Sequence, residues 1–393
     1  MKKLLIYFPE NKLRPVGGQA GYLFNLKKGL NDLISEEEKE FDIFFYNNGK
    51  RRLEDNVKVR KIVPKRILEI RRALNDAFFL NKCFETDMNL FDYDLIHFHW
   101  TEEMYLNRKF LEQYKGKVIL TSHTPCVMYK EKIDKLKKSD YLLLKKWIDR
   151  LEEIDRYAFE RADYIIFPCK EAEEPYYNTW PKYSQVKKEN KYRYMPSGIV
   201  QCRAKKSRED IRRIYNIPSN AFVISYVGRH NFIKGYDDLK KMGEYLLKDN
   251  NIYFLIAGKE EPLRGLKHPH WIEAGWTDDP HSLIAASDVF ILPNKETYFD
   301  LVLLEVISLG VPIVLSDTGG NKFFKQFNES GLMFYNSLDE AYKNLQNLKN
   351  KSKDEREEIS VRIQKIFENN FTVEKFANNY INIIAEIIKD DYR

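Results

Sequence analysis

Residues 289–305 read VFILPNKETYFDLVLLE, a short strand-like run, a polar loop and an apolar stretch long enough for a helix. A run of β-branched and aromatic residues followed by a helix is one βα unit of a parallel sheet. The same alternation extends outward in both directions along the chain. This repetition predicts an α/β protein.

The predicted strands form two series, separated by Pro196-Ser197-Gly198 and the basic stretch 203–208. The first series lies at 4–8, 41–46, 57–63, 95–99, 118–122, 164–168 and 192–196. The second lies at 222–228, 253–258, 272–274, 289–293, 312–316 and 332–335. Helices are predicted at 21–33, 67–88, 103–114 and 141–162. Two doubly wound domains in tandem fit this pattern best.

The tail from Ser352 to Arg393 has no strand pattern and is predicted to be helical, with a break near residues 369–372. Thr372 is the expected cap of the last helix, and Glu374 falls in its first turn. Both choices suit the exposed N–H groups of a helix start.

Composition excludes several classes of protein. A chain of 393 residues with 43% hydrophobic residues can bury roughly 75% of its unfolded surface, which excludes wholesale disorder. The net charge, 65 − 59 = +6, and a pI near 8.7 do not indicate a dedicated nucleic-acid domain. The four scattered cysteines indicate reduced thiols. The first apolar run stops at Pro9, and no stretch could span a bilayer, so we expect a cytoplasmic location.

Parallel sheets bind ligands at the carboxyl ends of their strands. Gly17 and Gly18 follow the first strand, where exposed backbone N–H groups could meet a phosphate or a sugar. Their spacing matches neither the dinucleotide motif nor the P-loop. An ordinary tight turn is the alternative interpretation.

Three histidines, His97, His99 and His123, end two predicted strands. Zinc could bind three imidazoles, but no further ligand cluster supports a metal site. We expect His123 to face a substrate and donate to a sugar hydroxyl or carbonyl, with packing at the crevice as the alternative. Packing is the leading interpretation for His97. The Asp92-Tyr93-Asp94 triplet precedes its strand and is interpreted as a turn.

In the second half, Arg229 and Lys234 lie between a strong strand and a helix. A forked guanidinium and an ammonium beside helix N–H groups would clamp a pyrophosphate, whereas the alternative is a solvated basic loop. Glu305 lies one turn inside the next apolar helix, where it could bond vicinal hydroxyls.

Taken together, these motifs resemble the retaining GT-B glycosyltransferases of the large, glycogen-synthase-like family four. The resemblance covers nearly the whole chain, and the order and spacing of its motifs are specific. They are Gly17-Gly18, Ser122-His123-Thr124, 162–166, Pro196-Ser197-Gly198-Ile199, Gly228-Arg229 with Lys234-Gly235, Ala257-Gly258, Gly275-Trp276, 286–289, and 301–305 followed by Gly310-Val311-Pro312 and Gly319-Gly320.

This resemblance implies two Rossmann-like domains facing across a cleft. Residues 1–200 would bind the acceptor, 201–374 would bind the nucleotide sugar, and the helix near 375–393 would pack back on the first domain. Carried over by position, the donor-binding set comprises Gly17, Gly18, Arg229, Lys234, Trp276, Thr297, Asp300, Leu301, Val302 and Glu305. The expected catalytic residues are His123, Arg229, Lys234 and Glu296, and His99 and Trp100 are expected on the acceptor side.

The chain departs from the family pattern at one position that matters. The family has two glutamates separated by seven residues, and the first of them falls on Thr297 here, with Glu296 one residue early. We expect Glu296 to take over the role, with Thr297 or a loss of catalysis as the alternatives. Asp300 replaces a glycine, so its side chain is expected to turn away or to bond the loop's own N–H groups. Phe323 likewise replaces a frequent glutamate.

The resemblance implies transfer of a hexose-type sugar, with retention, from a nucleotide diphosphate sugar to a glycan, a lipid-linked or a protein-linked acceptor in bacterial surface glycan synthesis. It implies no metal and no cofactor, and a UDP-sugar is favoured over a GDP-sugar. The alternatives are a noncatalytic partner subunit and a sugar-nucleotide epimerase or hydrolase.

Two basic segments lie in the expected acceptor domain. Residues 50–82 hold 11 Lys and Arg against 4 Asp and Glu, and residues 130–150 hold 8 against 4. Solvated faces are the ordinary interpretation of such runs. Peripheral contact with anionic lipid at the inner face of a membrane is the functional alternative.

Overall fold

The structure is a computed structural model. It describes residues 1–9, 13–15, 17–33, 41–46, 50–51, 63–79, 84–85, 88–124, 126–134 and 136–390. The strand predicted at 57–63 lies outside the described residues, apart from Val63.

Fourteen strands are described. They are β1 Lys2–Tyr7, β2 Phe41–Tyr46, β3 Lys50–Arg51, β4 Phe84–Glu85, β5 Leu95–Phe98, β6 Lys117–Leu120, β7 Tyr164–Phe167, β8 Tyr192–Tyr194, β9 Phe222–Val227, β10 Ile252–Ala257, β11 Trp271–Gly275, β12 Val289–Leu292, β13 Ile313–Ser316 and β14 Leu332–Tyr335. Most are rich in β-branched and aromatic residues, and those in the middle of each sheet are buried on both faces, as parallel sheets require.

The helices alternate with these strands. The described α-helices are α1 Gly18–Leu33, α2 Lys65–Phe79, α3 Thr101–Leu106, α4 Arg108–Leu111, α5 Met128–Ile133, α6 Lys138–Ile148, α7 Leu151–Arg161, α8 Glu174–Thr179, α9 Tyr183–Val186, α10 Arg208–Ile214, α11 Tyr236–Leu246, α12 Pro280–Ala285, α13 Leu301–Ser308, α14 Leu338–Lys349, α15 Lys353–Asn370 and α16 Val373–Lys389. Short 3₁₀ helices lie at Leu90–Asp92, Lys170–Glu173, Glu189–Lys191 and Gly319–Phe327.

Two six-stranded sheets organise the chain. The first has the order β2-β1-β5-β6-β7-β8 and the second has the order β11-β10-β9-β12-β13-β14, with every neighbouring pair parallel. Each order reverses direction once, between β1 and β5 and between β9 and β12. Ligands of open α/β sheets bind at such switch points, beyond the carboxyl ends of the strands.

The last helix of the chain packs on the first sheet and not on the second. Phe376, Ala377 and Tyr380 share a buried cluster with β1 and α1. At Gly29 of α1 a Cβ would lie 2.1 Å from the Val373 carbonyl oxygen, so only glycine allows the two helices to approach this closely. This packing agrees with the expected return of the last helix, while the domain boundaries stay a prediction.

Thr372 caps α16 as predicted. Its hydroxyl accepts a hydrogen bond from the Lys375 backbone N–H, and Glu374 lies in the first turn. Ser352 and Glu355 form a reciprocal capping box at the start of α15, the helix before α16. This capping box explains why α15 begins at Lys353.

Three predicted helices are wrong in extent. The helix predicted at 67–88 ends at Phe79, and Phe84–Glu85 pairs with Lys50–Arg51 instead. The helix predicted at 103–114 is divided at Asn107, whose buried side chain donates to the Glu103 carbonyl at 2.8 Å. Such local bonds compete with helix continuation. The helix predicted at 141–162 is divided between Ile148 and Leu151.

A buried histidine ties the last helix to the first sheet. Its ring bridges Tyr380 and Thr121, because His97 Nδ1 lies 2.9 Å from the Tyr380 hydroxyl and Nε2 lies 2.8 Å from Thr121 Oγ1. Burial, with a smaller effect of His123, lowers the pKa of His97 to about 3. The ring is therefore neutral in the folded chain above that pH.

We predict that His97→Leu destabilises the chain and makes it less sensitive to acid. Leaving Tyr380 and Thr121 without a partner costs about 1–3 kcal/mol each. Between the ordinary histidine pKa of 6.5 and about 3, only the unfolded chain takes up this proton, so stability falls as the pH falls. From pH 7.5 to 5.5, His97 contributes about 1.4 kcal/mol to that loss.

Urea unfolding at the two pH values measures this effect, with His268→Leu in the second half as the control. Wild type should lose about 1.4 kcal/mol more than His97→Leu. An equal loss in the two proteins contradicts the assignment.

Candidate functional site

A cavity of about 720 Å³ lies between the two halves of the chain. Its volume is typical of a site for a small molecule or cofactor. Loops from both sheets line it, from Gly17 and Gly18 on one side to Arg229, Lys234 and Glu305 on the other. The switch points of the two sheets therefore open into one space.

The loop after β9 places two cations on the cavity wall. Arg229 and Lys234 both line it, and the side-chain oxygen of Asn231 accepts from the Lys234 backbone N–H at 2.9 Å. Gly235 follows with φ +65°, and a Cβ there would lie 1.7 Å from the Pro293 carbonyl oxygen. Glycine at this position therefore allows the loop backbone to contact the residue that follows β12.

Lys234 is bound to a carboxylate of the neighbouring loop. Its Nζ donates to Asp300 at 2.6 and 2.7 Å, and the Asn294 side-chain amide donates to the same carboxylate. Burial alone would raise the pKa of Asp300, but Lys234 and Asn294 hold it below its usual value. The expected bond of Asp300 to an N–H group of its own loop is present at Asn294, whereas the ion pair with Lys234 was not expected.

The start of α13 also faces the cavity. Leu301 and Val302 line the cavity, and no side chain caps this helix start, although Asp300 is the residue before it. Uncapped N–H groups and the positive end of the helix dipole favour an anion. An anion could therefore contact this turn and Arg229 together.

One turn further, Glu305 pairs with a histidine that no sequence motif marks. His281 Nε2 lies 3.6 Å from Glu305 Oε2, and both residues line the cavity beside Cys202. The Cys202 thiol and the Glu305 carboxylate raise the pKa of His281 to about 10, against the opposing effect of burial. A cationic His281 therefore holds one side of the carboxylate at neutral pH.

The opposite wall of the cavity carries His123. Its Nε2 lies 2.9 Å from His99 Nδ1, and the Tyr22 ring packs edge-on against it with ring centroids 4.7 Å apart. Burial lowers the pKa of His123 to about 3 and places that of His99 well below its ordinary value. The pair is therefore neutral at neutral pH, and His123 can offer a hydrogen bond without a charge.

The second half of the chain matches a known protein family. Residues 207–366 match the family described as glycosyl transferases group 1. This region therefore resembles the group 1 glycosyl transferases. This span contains both cations, α13 and Glu305.

Two curated relatives of this chain come from Escherichia coli. The O-antigen biosynthesis glycosyltransferase WclY is 26% identical over 196 residues, which are 46% of this chain and 51% of the relative. A UDP-Gal:alpha-D-GlcNAc-diphosphoundecaprenol alpha-1,3-galactosyltransferase is 30% identical over 121 residues, covering 28% and 31% of the two chains. The chain spans about half or less of the length of these relatives.

Solved structures match over almost the full length. Sucrose-phosphate synthase from Thermosynechococcus elongatus has a TM-score of 0.66 at 17% identity, covering 99% of this chain and 100% of the other. HepE from Anabaena in complex with UDP and glucose has a TM-score of 0.60 at 13% identity, covering 98% and 100%. The chain has the GT-B fold, so the predicted fold class is confirmed.

Five residues expected in the site do not line this cavity. The Trp276 side chain is 78% exposed beyond β11, and His99 is fully buried behind His123. Trp100 packs against Phe8, with ring centroids 5.3 Å apart. The remaining two are Glu296 and Thr297. The roles expected of all five stay predictions.

Glu296 and Thr297 occupy the junction between the two halves of the chain. The Glu296 carboxylate accepts from the Asn178 side chain at 3.3 Å, and burial raises its pKa. Thr297 is buried, and its hydroxyl has no hydrogen-bond partner among the described residues. Glu296 would have to leave Asn178 to reach a sugar in the cavity.

We predict that Asp300→Asn tightens the binding of UDP about tenfold, or ~1.4 kcal/mol. The substitution keeps the side-chain shape, frees Lys234 from its ion pair and removes a negative charge beside the expected diphosphate. Isothermal titration calorimetry measures the dissociation constant. Asp237→Asn is the matched control, because Asp237 pairs with Lys295 and does not line this cavity. Unchanged or weaker binding by Asp300→Asn would show that Asp300 does not compete with the diphosphate.

Proposed function

We propose that this chain is a glycosyltransferase that binds a nucleotide diphosphate sugar in the cavity between its halves. The observation that carries the proposal is the meeting of Arg229, Lys234 and the uncapped start of α13 on one wall. Cations and helix N–H groups are what a diphosphate requires. The family match and the glycosyltransferase names of the curated relatives support the same activity.

In the proposed complex, the diphosphate lies between Arg229 and the first amides of α13. Lys234 also binds the diphosphate after its ion pair with Asp300 breaks. Glu305 accepts from the ribose hydroxyls, and His281 orients that carboxylate by holding its other side. The sugar extends toward His123 and the loop of Gly17 and Gly18.

The reaction breaks the bond between the anomeric carbon and the diphosphate oxygen. The electron pair leaves with the diphosphate, the acceptor oxygen bonds the anomeric carbon from the same face, and its proton passes to the departing phosphate oxygen. Charge develops on the diphosphate in the transition state, so Arg229 and Lys234 stabilise departure without a metal ion. Retention of configuration follows from attack on the same face.

The donor and the acceptor are proposed by class. HepE was solved with UDP and glucose, and one relative is named as a UDP-Gal transferase, which favours a UDP-hexose here. Both Escherichia coli relatives bear names from surface glycan synthesis or a diphosphoundecaprenol acceptor. A glycan acceptor, free or lipid-linked, in bacterial surface polysaccharide synthesis fits these names best.

A panel of radiolabelled UDP- and GDP-sugars tests this function by hydrolysis without an acceptor and by transfer with one. The proposal predicts turnover of at least one UDP-hexose, undiminished by EDTA. Binding of donor without turnover of any sugar, with or without acceptor glycans, would favour the noncatalytic alternative. Activity abolished by EDTA and restored by Mn²⁺ contradicts metal-independent transfer.

We predict that Arg229→Ala and Lys234→Ala each lower kcat about 100-fold or more. Each removes a cation that acts mainly in the transition state, and the loss of one such donor costs about 3–4 kcal/mol. Lys295→Ala is the matched control, since Lys295 pairs with Asp237 and does not line the cavity. Circular dichroism checks that the variants fold. Near-wild-type turnover in either variant removes that cation from the mechanism.

A further inference from the structure

Two neighbouring helices of the first half, α2 and α6, lie side by side on its surface. Near their starts, Arg66 Nε donates to Asp140 Oδ2 at 2.7 Å. Near their ends, the Arg150 guanidinium lies 5.1 Å from the centre of the Phe78 ring. Their inner sides share one buried cluster. The two outer sides therefore form one continuous surface, called the α2/α6 face below.

The α2/α6 face exposes large apolar side chains to water. On α6, Leu142 is 60% exposed, Leu143 is 77% exposed and Trp147 is 43% exposed. Leu143 and Trp147 are four residues apart and share one side of the helix. Ile67 on α2 is 54% exposed. Single exposed apolar residues are ordinary, whereas a group on one face marks an interaction surface.

Cations surround these apolar side chains. Exposed basic residues on or beside the two helices that form no ion pair among the described residues are Arg71, Arg72, Lys137, Lys138, Lys146 and Arg150. The acidic side chains nearby are largely engaged, because Asp140 pairs with Arg66 and Asp149 pairs with Lys145. Glu69 is partly exposed on α2. The face therefore keeps a marked positive charge around an apolar centre.

We propose that the α2/α6 face docks the chain on a bilayer of anionic lipid. Cations attract the negative headgroups, while leucines and a tryptophan enter the boundary between headgroups and acyl chains. A second copy of this chain fits less well, because two faces of the same positive charge would repel each other. The inference goes beyond the proposed sugar transfer and does not depend on it.

Docking through this face would bring the cleft close to the bilayer. Lys65, at the start of α2, donates to Glu261 of the second half at 2.6 Å, so the face reaches the edge where the two halves meet. A lipid-linked acceptor could then reach the cavity without leaving the membrane.

Sedimentation with large unilamellar vesicles tests the proposal on the full chain. The expected result is binding to phosphatidylcholine vesicles with 30% phosphatidylglycerol, and little binding to phosphatidylcholine alone. Each cation near the surface contributes about fivefold, so Lys137→Gln, Lys138→Gln and Lys146→Gln together weaken binding about 100-fold. Leu142→Ser with Leu143→Ser should weaken it at least about tenfold.

Ile214→Ser with Val361→Ser is the matched control, since both side chains are similarly exposed in the second half, at 53% and 49%. Thermal melting followed by circular dichroism checks that every variant folds. Equal binding to neutral and anionic vesicles overturns the proposal, as does unchanged binding of the leucine variant. Self-association that the leucine variant abolishes, without vesicle binding, would show that the face binds a second copy of the chain instead. Vesicle binding requires no turnover, so failure here leaves the proposed transfer untouched.

Discussion

The ion pair between Lys234 and Asp300 joins the two loops on which the cavity depends. These loops follow β9 and β12, the neighbouring strands at which the second sheet reverses its order. Gly235 lets the first loop contact Pro293 directly, and this close approach brings the ammonium within reach of the carboxylate. This pair shapes the electrostatics of the second half's side of the cavity, because Lys234 is neutralised while Arg203 and Arg229 form no ion pair among the described residues.

The opposite wall depends on neutral histidines instead of charges. His97 joins Tyr380 of the last helix to Thr121, and His99 holds the ring of His123 at the cavity. Because burial keeps these rings neutral, the first half presents a hydrogen-bonding surface suited to sugar hydroxyls. The cations of the second half suit phosphate. In the proposed complex, the first half contacts the sugar and the second half contacts the diphosphate.

The succession of most strands along the chain, and the residues that follow them, were predictable from the sequence. Strand patterns are local, and a residue just after a parallel strand must lie at the carboxyl edge of the sheet. This rule correctly places Arg229, Lys234 and His123 at the cavity. Contacts between distant segments were not predictable in this way. Glu296 accepts a hydrogen bond from Asn178 and does not line the cavity. Nothing near either residue in the sequence indicates that contact.

His281 was missed for a related reason. It lies in the first turn of α12, and its significance comes from Glu305 and Cys202, which belong to other segments. The replacement of a family glycine by Asp300 was visible in the sequence, but its partner was not. Only the folded loops show that Lys234 is that partner.

A crystal structure of the chain with UDP would show directly whether the diphosphate separates Asp300 from Lys234. We predict that the diphosphate lies between the Arg229 guanidinium and the first amides of α13, that the ribose contacts Glu305, and that Asp300 is separated from Lys234. A diphosphate bound elsewhere in the cleft, or bound there with the Lys234–Asp300 pair intact, would contradict it.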